Sequence, residues 1–235
     1  MKYKILIIII LGTLFTSIIY FYTDKDNLNI LALGDGISTG MTSYHLEGYD
    51  YNEYLSEYLN ENKRLENYYK NFNEVDETAS NLVNKINNNI ESIDKKIKIK
   101  QAIKEADIIT ISLGMDELNN YAKKNNLGST KINGYLQKYD EVLKMIRKFN
   151  DKKIYLIGLY ETNLINEIKI NKINEELKNL AKKYNTTFID IENIIENKEY
   201  FSGNDYYINY KGQEYIFNKI RDTLEQPTIY FVDII

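Results

Sequence analysis

Along most of the chain, short apolar runs rich in Ile and Leu alternate with longer stretches whose apolar positions recur every three or four residues. That alternation is the pattern of βα units around a mostly parallel sheet. The runs predict strands at 29–33, 66–69, 108–113, 154–158 and 187–191, and the amphipathic stretches predict helices at 51–60, 78–88, 97–106, 132–149, 166–184 and 210–224. Within 132–149, Tyr135, Tyr139, Val142, Leu143 and Ile146 share one face, as a helix lying on a sheet requires. The expected fold is a three-layer α/β/α domain over 29–226 with a five-stranded, mostly parallel sheet. The apolar tail, 227–235, alternates poorly, and an edge strand, a packed tail and a partner contact all remain open for it.

A different pattern opens the chain. Residues 5–22 carry no charge, follow Lys2 and Lys4, and end in Tyr20, Phe21 and Tyr22. As a helix this run spans roughly 27 Å, close to the hydrocarbon thickness of a bilayer. It predicts a single-pass membrane anchor, with 1–4 in the cytoplasm by the positive-inside rule and the three aromatics at the far interface. A cleaved secretory signal is the competing reading, but no small-x-small site precedes Asp24. Either reading places the domain outside the cytoplasm. The short linker, 23–28, reaches roughly 20 Å at most and keeps an anchored domain close to the membrane.

Composition narrows the chemistry. A net charge of -4 and the lack of a basic stripe argue against a nucleic-acid partner, whose phosphates need lysines and arginines. The absence of cysteine removes disulfides, zinc thiolates and a cysteine nucleophile. No cofactor is expected. The 22 tyrosines suit half-buried helix faces better than ligand platforms.

In open α/β sheets, function lies beyond the carboxyl ends of the strands. There the first strand runs into Gly34-Asp35-Gly36-Ile37-Ser38, the third into Gly114-Met115-Asp116-Glu117, and the last helix follows Asn204-Asp205-Tyr206-Tyr207-Ile208-Asn209-Tyr210-Lys211-Gly212. In order, spacing and placement these resemble the SGNH/GDSL hydrolase family, which has Gly-Asp-Ser-Leu, Gly-x-Asn-Asp and Asp-x-x-His-Pro-Asn-x-x-Gly at those places. The resemblance implies a flavodoxin-like hydrolase fold and esterase or acylhydrolase ancestry. It also implies that Gly36 stands at the nucleophilic serine, Tyr207 at the histidine, Asn204 at the aspartate and Asp116 at the oxyanion-hole asparagine. Asp76 falls at the glycine of the second family block.

These departures undercut the implied chemistry. Acyl transfer needs an oxygen nucleophile, a base of near-neutral pKa and donors aimed at the developing oxyanion. Gly36 offers no oxygen, and a phenol of reference pKa near 10 is a poor base. An ionised Asp116 about 4 Å from an oxyanion would repel it by roughly 4 kcal/mol at an effective dielectric near 20. The expectation is a non-catalytic binding or scaffolding module at the cell envelope, its pocket formed by Asp35, Gly36, Gly114, Asp116 and Tyr207. An envelope glycan or another membrane protein is the expected partner. Two alternatives stand beside it. One is an esterase for ester or O-acetylated glycan substrates, with Ser38 or Ser43 and His45, the sole histidine, as relocated machinery; the plainer role for Ser38 and Thr39 is to cap the turn. The other is a Ca²⁺ or Mg²⁺ site built from Asp35, Asp116, Glu117 and Asp205, although turn and cap hydrogen bonds explain these carboxylates as well, and no metal is expected. A purely structural partner role predicts instead a pocket filled by Tyr207 and Tyr44.

Overall fold

The structure, a computed structural model, describes residues 27–94, 96–203 and 206–225. The expected anchor at 5–22, the pair Asn204 and Asp205, and the tail at 227–235 lie outside the described residues. Among the described residues, no helix is long and apolar enough to cross a membrane.

Five strands, β1 (Leu28–Gly34), β2 (Leu65–Tyr69), β3 (Ile108–Ser112), β4 (Lys153–Ile157) and β5 (Thr187–Ile189), form one sheet in the order β2-β1-β3-β4-β5. Every pairing is parallel. The central strands β1 and β3 read as near-continuous apolar runs because both their faces are covered. Among the described residues, seven α-helices connect and flank the strands: α1 (Tyr51–Glu61), α2 (Ala79–Asn88), α3 (Ile99–Glu105), α4 (Met115–Lys123), α5 (Ser129–Arg147), α6 (Glu167–Lys183) and α7 (Tyr210–Leu224). Helix α1 packs with α7, and α5 packs with α2 and α6. Right-handed crossovers account for this division: the chain turns one way from β1 to β2 and the other way from β2 through β5. The predicted face of α5 is buried at Tyr135, Tyr139, Val142, Leu143 and Ile146.

Two differences from the sequence reading matter. Helix α5 starts at Ser129 rather than 132, because Gly128 in extended backbone serves as its N-cap. Helix α4 was not anticipated. Its nine residues include buried Asp116, Glu117 and Asn119, so polar positions obscure the apolar stripe that signals a helix.

The strand order reverses at β1, whose neighbours are β2 and β3. Ligand sites of such sheets form at that switch point. The register pairs Gly34 with Ser112, so β1 and β3 end level and the turns after them face one another.

Candidate functional site

Asp35 ties the two turns together. Its backbone N–H donates to Ser112 O at 2.9 Å, and its side chain accepts from Gly114 N at 2.9 Å, Asp116 N at 3.2 Å and Ile37 N at 3.3 Å. Gly114 caps α4 with φ of 117°, a left-handed conformation that disfavours side chains. A Cβ there would also lie 2.6 Å from the Tyr135 hydroxyl, which donates to Leu113 O. This tight junction aims the first turn of α4 at the Gly36 loop.

Asp116, on that first turn, is fully buried. Its Oδ2 accepts from Gly36 N at 2.8 Å and from Asp76 N at 2.8 Å. Its Oδ1 accepts from the hydroxyls of Tyr206 at 2.8 Å and Tyr207 at 2.9 Å. Four donors on two oxygens are what an ionised carboxylate, which only accepts, can use. Asp76 sits at φ of 60°, a conformation that favours glycine, and its amide points at the same oxygen as that of Gly36. This supports the alignment of Asp76 with the family's second-block glycine.

The electrostatics follow from burial. Desolvation first, and then the Asp116 charge, push the Asp35 carboxyl well above the usual carboxylate range. The same two causes push the phenols of Tyr206 and Tyr207 far upward, so both remain hydrogen-bond donors and neither serves as a base.

The loop carrying the tyrosines is fixed from several sides. Asn209 caps α7 by accepting from Lys211 N and Gly212 N, and the Tyr160 hydroxyl donates to Tyr206 O at 2.6 Å. Gln213 of α7 donates to Ile37 O and accepts from Tyr51 N, binding that helix to the β1 turn.

Gly36, Asp116 and Tyr207 therefore converge, as their alignment to one site implies, but they fill it themselves. A Cβ at Gly36 would lie 2.7 Å from Tyr207 Cε1 and 2.9 Å from Asp116 Oδ2, leaving no room for a serine. The residues expected to line a ligand pocket are bonded to one another instead. The residue that closes the site beside Tyr207 is Tyr206, not Tyr44, which is 70% exposed. Adjacency to Tyr207 is the only signal the sequence held for Tyr206.

The other candidates are dispersed. Ser38 is fully buried and its Oγ accepts from Asn52 Nδ2 at 3.3 Å, whereas His45 is exposed in a left-handed turn. No hydrogen bond joins them among the described residues. Ser43 Oγ lies 3.5 Å from Tyr207 O. Glu117 accepts from Ala79 N and Tyr121 Oη. Among the described residues no group of three acidic, imidazole or thiol side chains is arranged to hold a metal ion.

The doubly wound parallel sheet, with level turns after β1 and β3 and the amides of Gly36 and Asp76 converging between them, places this site at the switch point of the fold. The chain belongs to the GDSL-like lipase/acylhydrolase family, whose sequence pattern matches residues 30–226. No curated protein matches it at the level of sequence. Among solved structures it is similar to a variant of an acetyl xylan esterase from Geobacillus stearothermophilus, at 15% identity and a TM-score of 0.63, covering 88% of this chain and 99% of the other. It is also similar to an α/β hydrolase from the metagenome of Lake Arreo, Spain (14% identity, TM-score 0.63, 84% and 94% covered). A third is a psychrotrophic esterase from Pseudoalteromonas (14%, TM-score 0.61, 84% and 97%). At these identities the likeness concerns the fold.

Proposed function

We propose that this domain is a non-catalytic member of its family, a binding or scaffolding module held at the cell envelope by the apolar segment 5–22 as a single-pass anchor. The observation that carries the reading is the Asp116 carboxylate seated on the amides of Gly36 and Asp76. Those amides are the donors that would receive a substrate oxyanion, and here they hold an internal carboxylate. Sterics now add to the charge repulsion expected from sequence, because the carboxylate occupies the place that a reacting carbonyl oxygen needs. Gly36 supplies no nucleophile, and Tyr207 is held as a donor. The charge-free run after Lys2 and Lys4 supports the anchor and the export of the domain. An envelope glycan or another membrane protein is the partner class, and the acetylated xylan named for one structural relative makes acetylated glycans the first polymers to test.

The test is a fluorophosphonate probe and an aryl acetate substrate applied to the full chain in detergent micelles. No serine labelling and no hydrolysis above buffer are expected. A covalent adduct on any serine overturns the reading, and labelling abolished by Ser38→Ala would transfer the function to a relocated hydrolase.

A further inference from the structure

The two apolar segments that flank the domain attach to the same face of it. All strand pairings are parallel, so the amino ends of the five strands lie together. Leu28 opens β1 at that face, a short linker after the charge-free run 5–22. Helix α7 returns there and ends in Leu224, with the apolar stretch 227–235 next in sequence. Leu28, Arg64, Lys152, Lys153, Asn185 and Leu224, among others, border one groove of about 680 Å³, so the loops at this end form a continuous surface.

Charge divides the two ends of the sheet. The connections that leave the strands, 35–50, 70–78, 158–166 and 190–203, are strongly acidic, with Lys70 and Lys198 as their only lysines and no arginine. The connections that enter the strands, 62–64, 106–107, 148–152 and 184–186, have the opposite bias. They carry Lys63, Arg64, Lys148 and Lys152 against Asp107 and Asp151, and Lys153 follows at the start of β4. Asp107 accepts from Asn29, and Arg64 pairs with Glu225. The exposed Lys63, Lys148, Lys152 and Lys153 therefore outweigh the remaining acid, Asp151. Phe149, beside Lys148, is 42% exposed. In a chain of net charge -4, this gathering of lysines around an exposed ring is the chemistry that anionic headgroups attract.

We propose that the amino-end face of the sheet docks on an anionic phospholipid surface, with Lys63, Lys148, Lys152 and Lys153 toward the headgroup phosphates and Phe149 at the interface. The acidic loops at the opposite end are repelled by that surface, so the closed site around Asp116 faces away from the bilayer. The inference rests on the proposed anchor for proximity, since the linker 23–28 reaches roughly 20 Å at most. It adds an orientation, which a tether alone does not set.

The test uses the full chain in nanodiscs of phosphatidylglycerol or of phosphatidylcholine. The chain has no cysteine, so a single fluorophore can be placed by Thr187→Cys at the groove or by Tyr44→Cys in the opposite, acidic loops. Spin-labelled headgroups should quench the fluorophore at 187 strongly and at 44 weakly in phosphatidylglycerol. The difference should shrink in phosphatidylcholine and in about 0.5 M salt, where screening is strong. Replacing Lys148, Lys152 and Lys153 together by Gln should lower the ratio of docked to undocked domain by about fivefold for each lysine. Equal quenching at the two positions, indifference to lipid charge, or no effect of the triple variant would each overturn the proposal. The anchor is scored separately by retention on the disc in about 1 M salt. Release there, after quenching at 187 in low salt, overturns the anchor and leaves the docking face standing; retention without quenching at 187 does the reverse.

Discussion

Asp116 decides what the family's oxyanion position can do in this chain, and substitution there separates charge from shape. Asp116→Asn keeps the volume, and its Oδ1 can remain on the amides of Gly36 and Asp76 while its Nδ2 turns to the hydroxyls of Tyr206 and Tyr207, which can accept. It also removes the charge that pushes Asp35 upward, offsetting part of what is lost. Asp116→Ala leaves two amides and the Tyr207 hydroxyl without their acceptor, while the Tyr206 hydroxyl can still donate to Tyr207 Oη at 3.2 Å, at roughly 1–3 kcal/mol for each group that water cannot reach. The expected result in urea denaturation is a cost of about 1 kcal/mol for Asn and at least about 3 kcal/mol for Ala. Equal costs would mean that the internal anion does not organise the site.

At the scale of elements, the junction of β3 with α4 sets the aim of that carboxylate. Gly114→Ala adds a Cβ at φ of 117° and 2.6 Å from the Tyr135 hydroxyl, combining backbone strain with overpacking. A loss of about 3 kcal/mol is expected from the urea midpoint, with the m-value unchanged. The same junction shows what the sequence could and could not convey. The strands were legible because β1, β3 and β4 are Ile- and Leu-rich runs buried on both faces, and α5 because its buried tyrosines and aliphatics keep a helical period. The alignment of Gly36, Asp116 and Tyr207 to one place was legible through motif order. The filling of that place was not. Whether an aspartate repels a ligand or replaces it depends on the rotamer and on donors from Asp76 and Tyr206, 40 and 90 residues away in sequence, and no local pattern encodes such distances. Helix α4 stayed hidden for a related reason: its inward residues are polar because they serve the site.

At the scale of the molecule, burial holds four carboxyl groups among the described residues on the protonated side of their ordinary range. Asp35 and Asp50 are both raised, chiefly by burial, and Glu77 and Glu117 shift the same way for the same first cause. In an unfolded chain these groups ionise near pH 4. Between that point and their folded values the native state binds more protons than the unfolded state, so stability falls as pH rises. For Asp50 the window runs from about pH 4 to about 7, and for Asp35 it extends upward from the same lower limit. Each such group can remove at most about 1.4 kcal/mol per pH unit inside its window. The raised lysines, Lys70 and Lys178 among them, act only at alkaline pH and leave this range unaffected. Thermal unfolding should therefore give its highest midpoint near pH 5 and a lower one at pH 8, the reverse of a fold held by exposed ion pairs of ionised carboxylates. Asp50→Asn should flatten the slope between pH 4 and 7 while leaving the contribution of Asp35. A midpoint that climbs from pH 5 to pH 8 would show that these carboxyls are ionised in the native fold, and that the amides and hydroxyls around them outweigh their burial.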